Sequence, residues 1–156
     1  MPITPLHFGV LAPLNHFAPD KVHPVSFVLV NLWLDQASII YTLTGYGAIS
    51  HADHTFWGAF LLATIVSIFY WSRAWWLGAF IGGISHIALD MFVHADMSPF
   101  EPLVQGNPFY LGLMEPMSLV LLALCAWLIA QYVSGILGWA RRTLAAVREE
   151  LRGRAS

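Results

Sequence analysis

The sequence predicts an all-α membrane protein with four transmembrane helices, and three observations support this prediction. Of its 156 residues, 58% are hydrophobic and 10% are charged, whereas about 25% of the residues in a soluble domain are charged. Long apolar segments recur along the chain, each close to the roughly 20 residues that a helix needs to cross a bilayer. Every lysine and arginine lies outside these segments, as expected for residues that flank membrane spans.

Four apolar segments are the predicted spans. Pro24 fits the first turn of the first span, because the N–H that a proline lacks would have no helical partner there. The third span begins with Gly78, Gly82 and Gly83. This small-residue pattern predicts that a neighbouring backbone packs closely one turn below His86. In chain order the spans cover about 25–46, 55–71, 74–93 and 109–137, which makes a four-helix bundle over residues 25–137.

The basic residues predict the topology. Lys21 precedes the first span, Arg73 separates the second from the third, and five arginines follow the fourth. With four spans all these positions fall on one side, which the positive-inside rule identifies as cytoplasmic. We therefore expect both termini in the cytoplasm. The five arginines after the last span are Arg141, Arg142, Arg148, Arg152 and Arg154.

Two flanking segments complete a single predicted membrane domain over residues 1–156. Residues 1–24 are apolar but short, and Pro13 and Pro19 interrupt them. This segment is expected to be either a re-entrant half-helix buried by the bundle or an interfacial helix. Residues 138–156 have apolar side chains at helical spacing with arginines around them, which predicts an amphipathic helix on the cytoplasmic membrane surface.

The basic C-terminal tail and the single cysteine restrict which binding partners and metal sites the chain can have. The basic tail is accompanied by no aromatic or glycine pattern, so membrane lipid is the predicted partner and nucleic acid is not. Cys125 is the only cysteine, which excludes a disulfide framework or a cysteine zinc site within one chain.

Ionisable residues inside the spans are the candidates for function, because each costs about 2.5–3.5 kcal/mol on insertion scales. His86 and Asp90 are four residues apart, so both project from one face of the third span. Asp35 lies within the first span. The predicted topology puts the remaining candidates toward the outer side, where no lysine or arginine occurs: His51, Asp53, His54, His94, Asp96 and Glu101.

Three interpretations of these residues remain open. Imidazole and carboxylate groups without thiolates suit zinc, manganese or iron, and a metal would supply the positive charge that buried carboxylates lack. The same groups could form a proton relay. They could also be structural, with His86 hydrogen-bonded to Asp90, and with Asp35 joining Asn31 and Gln36 in polar contacts between helices.

Five short motifs lie within the first 102 residues. They are T-P-L-H-F-G with His7, L-W-L-D-Q with Asp35, D-H-T-F-W-G-A with His54, G-G-I-S-H-I-A-L-D with His86 and Asp90, and S-P-F-E-P-L. In these motifs the sequence resembles the YdjM-type family of small bacterial membrane-bound proteins described as metal-dependent hydrolases. It departs from the family pattern at Leu34, Ala37 and Thr55, where the family has proline, often an acidic residue, and serine. The family's His-Arg pair before the third motif is also absent.

The resemblance implies a metal-dependent hydrolase. His54, His86 and Asp90 are the expected core ligands, and Asp35 and His7 would complete or brace the site. Zinc is the expected ion, with manganese or iron as alternatives. Such an ion lowers the pKa of a bound water toward about 7, which makes hydroxide available near neutral pH.

The general base is expected among Asp53, Asp96 and Glu101, and the sequence does not choose among them. A site that faces outward at membrane depth suggests a lipid, lipid-linked or envelope substrate. The expected location is the bacterial inner membrane.

Two other functions remain open. The chain could be a non-catalytic accessory or assembly subunit of a larger membrane complex, since the family motifs are incomplete. It could also carry protons or ions through Asp35, His86 and Asp90. Four spans are few for a carrier unless the chain forms a homo-oligomer.

Overall fold

The computed structural model describes residues 4–46 and 54–154. Within these residues the chain is all-helical, as predicted, and none of them lies in a strand. A 3-10 helix spans Thr4–Val10. Six α-helices follow: α1 (Leu11–Phe17), α2 (Pro24–Leu34), α3 (Gln36–Thr44), α4 (Phe56–Ile68), α5 (Arg73–Asp90) and α6 (Met114–Arg154).

Helices α2, α4 and α5 contribute most of the hydrophobic core, and each has a residue at its N-terminus that favours the start of a helix. The Thr55 hydroxyl accepts a hydrogen bond from the Gly58 N–H at 2.8 Å at the start of α4, and the Ser72 hydroxyl caps α5 through the Trp75 N–H at 3.1 Å. Both satisfy N–H groups that the first helical turn leaves without partners. Pro24 begins α2, as its fixed φ favours.

Helix α5 packs against both α2 and α4, and its glycines permit the close contact with α2. A Cβ atom at Gly82 would lie 2.8 Å from the Phe27 carbonyl oxygen, and one at Gly78 would collide with the His23 carbonyl. The predicted approach of a neighbouring backbone one turn below His86 is therefore confirmed, and α2 is that neighbour.

The N-terminal segment, Thr4–Phe17, packs against α6. A Cβ atom at Gly9 would lie 2.8 Å from the Leu121 carbonyl oxygen and 2.9 Å from the Cys125 nitrogen. Further along, Gln131 Nε2 donates to the Ala12 carbonyl oxygen at 2.9 Å. The segment therefore lies along α6.

The membrane spans differ from the four continuous helices that the sequence predicts. In the described residues, one helical stretch is long and apolar enough to cross a bilayer, Met114–Ala146. A second qualifies only if α2 and α3 count as one span, and they meet at 65°. Helix α4 has 13 residues, which is too few, and α5 contains glycines, His86 and Asp90 that lower its hydropathy. Length and composition therefore identify one clear candidate span, not four.

Helix α6 also differs from the prediction at both ends. It begins at Met114 instead of about 109, and it continues without a break to Arg154. The predicted amphipathic tail is therefore helical, but as the end of α6 and not as a separate helix. At 1.5 Å per residue its 41 residues measure roughly 60 Å, about twice the hydrocarbon thickness of a bilayer.

Candidate metal centre

Four buried side chains from three parts of the fold converge at one end of α5. His86 and Asp90 lie in the last turns of that helix, four residues apart. Asp35 occupies the bend between α2 and α3, and His54 lies directly before the N-cap residue of α4. Each offers one ligand atom, and these four atoms all lie within 4.8 Å of one another. This group could hold a metal ion.

The separations between these atoms fit a small tetrahedral ion. His54 Nε2 lies 3.1 Å from Asp35 Oδ1 and 3.7 Å from Asp90 Oδ2. His86 Nε2 lies 3.2 Å from Asp90 Oδ2 and 3.5 Å from Asp35 Oδ1. Ligand bonds of 2.0–2.1 Å in a regular tetrahedron place neighbouring ligand atoms about 3.3–3.4 Å apart. The four nitrogen–oxygen separations, 3.1–3.7 Å, are therefore compatible with a small ion bound in this way.

Asn31 determines which nitrogen of His86 faces the cluster. The Asn31 side-chain amide donates from Nδ2 to the Phe27 carbonyl oxygen at 2.8 Å, so its Oδ1 faces His86 Nδ1 at 2.9 Å. An amide oxygen can only accept, and His86 Nδ1 therefore carries a proton. In the neutral ring, Nε2 then presents a lone pair to the two carboxylates.

In this arrangement, His86 Nε2 must either bind a cation or carry a second proton. His86 is fully buried, and its Nε2 has no hydrogen-bond partner among the described residues, although Asp35 and Asp90 oxygens lie within 3.5 Å. A lone pair that faces two anionic oxygens is repulsive unless a metal ion lies between them or a second proton makes the ring an imidazolium. A metal-binding histidine whose other nitrogen donates to an oxygen is the usual arrangement in metal sites.

Arg73 and Lys21 lie at the opposite end of α5 from this cluster. Arg73 begins α5, 17 residues before Asp90, which is about 25 Å along the helix. Lys21 belongs to the same end of the bundle, since the His23 N–H donates to the Ala74 carbonyl oxygen at 2.9 Å. In the described part of the chain, Asp35 and Asp90 lie against imidazoles, which can become positive: those of His7, His54, His86 and His94.

His7 reaches the cluster from the N-terminal segment. It is 2% exposed, its Nε2 lies 3.2 Å from Asp90 Oδ1, and its ring stacks on that of His86 with 4.4 Å between centroids. The structure thus brings together all five residues that the resemblance implies as ligands. Whether they bind a metal stays a prediction. His94, one helical turn beyond Asp90, adds a further imidazole, with Nε2 3.9 Å from Asp90 Oδ1.

The segment after α5 closes this end of the bundle. The Pro99 carbonyl oxygen accepts a hydrogen bond from the Phe56 N–H at 2.9 Å, and Asn107 Nδ2 donates to the carbonyl oxygens of Met91 and His94. Met97 is 1% exposed and joins the hydrophobic core. This cover keeps bulk water from the cluster, which strengthens electrostatic interactions inside it.

The three candidates for the general base lie elsewhere or outside the described residues. Asp53 belongs to residues 47–53, as does His51, and both fall outside the described part of the chain. Asp96 and Glu101 are exposed on the segment after α5, and neither belongs to the four-residue group. The role of a base stays a prediction for all three.

The sequence did not predict that Asn31 would orient His86 through a hydrogen bond. The sequence presents it as a polar contact between helices beside Asp35. Its spacing carried a signal, because Asn31 and Asp35 are four residues apart and so lie on one face of an otherwise apolar segment.

Comparison of the chain with protein-family models, curated proteins and solved structures gave no match. The resemblance to the YdjM-type family therefore rests on its motifs alone.

Proposed function

We propose that the chain is a membrane-embedded, metal-dependent hydrolase that acts on a lipid, lipid-linked or envelope substrate. The observation that carries the proposal is the set of four buried donor atoms within 4.8 Å of one another, with His86 held by Asn31 so that its Nε2 faces two carboxylates. A metal ion held there would supply a water of lowered pKa and would polarise the bond to be cleaved.

The donor chemistry favours zinc. Asp35, His54, His86 and Asp90 offer two imidazole nitrogens and two carboxylate oxygens, a set that zinc accepts, with manganese or iron as alternatives. Hydrolysis requires one further coordination position, and zinc expands from four to five ligands in catalytic sites. Asp35 is the most exposed of the four, at 6%, so water or substrate would reach the cluster on its side.

The remaining residues would orient these donors and handle protons. Asn31 would hold the ring of His86, and His7 would brace Asp90 through Oδ1. Asp53, Asp96 and Glu101 remain the candidates for the general base. A hydrolase needs such a group within hydrogen-bond reach of the attacking water, directly or through one water.

The membrane location is part of the proposal. We infer that α6 crosses the bacterial inner membrane and that the broken and shorter helices, α2 to α5, add crossings packed beside it. Helix breaks at membrane depth are tolerated where protein buries them, and Asp35, at such a break, is buried. The contact between His23 and Ala74 puts the chain near Lys21 beside the chain near Arg73, as expected if both face the cytoplasm, with the termini on that side.

Metal analysis of the purified protein tests the proposal directly. We expect bound zinc, manganese or iron in the wild type, and its loss from His86→Ala and Asp90→Ala. His16→Ala is the matched control, because His16 is exposed and contacts Phe17 and Trp127 instead of the cluster. Full metal content in both cluster variants, or a metal-free wild type, contradicts the proposal.

One observation favours a second candidate, a non-catalytic subunit of a larger membrane complex. Only 6% of the apolar window of α6 is buried within the chain, so this helix offers a long surface to lipid or to a neighbouring subunit. Purification with partners attached, at a size far above 17.4 kDa plus detergent, would favour this alternative. Metal-free protein that conducts protons in liposomes would instead favour a carrier.

A further inference from the structure

We propose that Asp90 bridges two metal positions, and that the second is formed by Asp90 Oδ1 with His7 and His94. This inference deepens the proposed function and rests on it, because Asp35, His54, His86 and Asp90 Oδ2 would hold the first ion. The second position would take a divalent cation.

The two oxygens of Asp90 face different histidines. Oδ2 lies 3.2 Å from His86 Nε2 and 3.7 Å from His54 Nε2. Oδ1 lies 3.2 Å from His7 Nε2 and 3.9 Å from His94 Nε2. A carboxylate with ring nitrogens against both oxygens is arranged to bridge two ions. In two-metal hydrolytic sites the ions are about 3.5–4 Å apart.

The stack of His7 on His86 sets the two positions side by side. The rings are 4.4 Å apart and inclined by 25°, and each presents Nε2 to a different oxygen of Asp90. Two imidazoles stacked in this way would repel each other if both were protonated. Neutral rings that each donate a lone pair to a separate ion avoid that repulsion.

His7 is buried although one of its ring nitrogens is left unsatisfied. It is 2% exposed, and its Nδ1 has no hydrogen-bond partner among the described residues. Burying an imidazole with one nitrogen unsatisfied is unfavourable, and the single hydrogen bond to Asp90 offsets only part of that penalty. A bond from Nε2 to a metal ion would offset more.

The charges predict that the second ion binds more weakly. Asp35 and Asp90 together neutralise one divalent cation, whereas the second position adds two imidazoles but no further carboxylate of its own. Metal titration should therefore fill the first position before the second.

Manganese is the probe that separates this proposal from a role of His7 as a hydrogen-bond brace. Purified wild-type protein in detergent is saturated with Mn²⁺, the bound ions are counted, and electron paramagnetic resonance reports whether they are magnetically coupled. We expect two ions per chain with a coupled signal. A His7→Phe variant keeps a ring to stack on His86 but has no donor atom, so it should bind one uncoupled ion.

His16→Phe is the matched control, since it changes a histidine of the same N-terminal segment that lies away from Asp90, and it should still bind two ions. One ion in the wild type, or two coupled ions in His7→Phe, overturns the second position while the proposed function stands. No ion in the wild type overturns both.

Discussion

Asn31 holds His86 through a buried hydrogen bond, in which His86 Nδ1 donates to the amide oxygen at 2.9 Å. Both residues are fully buried, and the second contact of the amide, with the Phe27 carbonyl oxygen, prevents it from rotating. Gly82 leaves room for this contact, because a Cβ atom there would lie 3.1 Å from Asn31 Nδ2. The helix packing between α2 and α5 thereby determines which nitrogen of His86 faces Asp35 and Asp90.

Removing the acceptor on Asn31 should weaken metal binding while leaving the fold in place. Asn31→Leu has a similar volume but no oxygen, and loss of such an outer partner typically lowers metal affinity 10–100-fold. Asn31→Asp keeps an acceptor and should retain the metal. Competition with a chromophoric chelator measures the affinity.

Ser67→Ala is the matched control for Asn31. The Ser67 hydroxyl is also buried but donates only to the Ala63 carbonyl oxygen within α4. If Asn31→Leu lowers the melting temperature as Ser67→Ala does but leaves metal affinity unchanged, the role of Asn31 is structural only.

A methyl group at Gly82 should destabilise the contact between α2 and α5. The new Cβ would lie 2.8 Å from the Phe27 carbonyl oxygen, and this backbone atom cannot move aside without shifting α2. Overpacking of this kind typically costs about 1–3 kcal/mol. Thermal unfolding in detergent should show a lower midpoint for Gly82→Ala. Gly135→Ala, where a Cβ meets nothing within 4 Å, should show no loss, and equal midpoints for the two variants would refute the close contact.

A larger side chain at Gly9 should separate the N-terminal segment from α6. The reactivity of Cys125, the single cysteine, measures this separation. Cys125 Sγ lies 3.4 Å from the Leu6 carbonyl oxygen and 3.5 Å from that of Pro5, so the segment lies against this half-buried thiol. In Gly9→Val the added carbons would meet the Leu121 carbonyl and the Cys125 nitrogen. We expect maleimide to label Cys125 several-fold faster than in the wild type.

The control for this experiment is Gly135→Val, because Gly135 lies on α6, as Cys125 does, but has open space around it. Labelling of Cys125 at the wild-type rate in Gly9→Val would show that the segment does not depend on this contact. Faster labelling in both variants would point to a general loosening of α6.

Local spacing explains which features the sequence predicts well. His86 and Asp90 share a face because they are four residues apart, and the glycines of α5 indicate close packing whatever the neighbour is. Both features are properties of one helix, and the structure has them. The all-helical fold follows in the same way from long apolar segments.

Contacts across the bundle explain what the sequence could not predict. No proline or glycine lies between Val25 and Thr44, so nothing local marks the break at Asp35. The break occurs where Asp35 turns toward His54. The hydrogen bond between Asn31 and His86 depends on how α2 crosses α5. His7 reaches Asp90 only because Gly9 lets its segment pack on α6.

The orientation of α6 can be tested by placing one cysteine beyond each end of the predicted fourth span, residues 109–137. In a Cys125→Ser background, Gly106→Cys lies before the helix and Thr143→Cys lies beside Arg142, and both positions are exposed. If α6 crosses the membrane with its arginines in the cytoplasm, an impermeant maleimide should label Gly106→Cys in spheroplasts and should label Thr143→Cys only after detergent is added. Labelling of both cysteines before detergent would show that α6 does not cross. Labelling of Thr143→Cys alone would show that it crosses in the opposite direction, against the prediction from the basic residues.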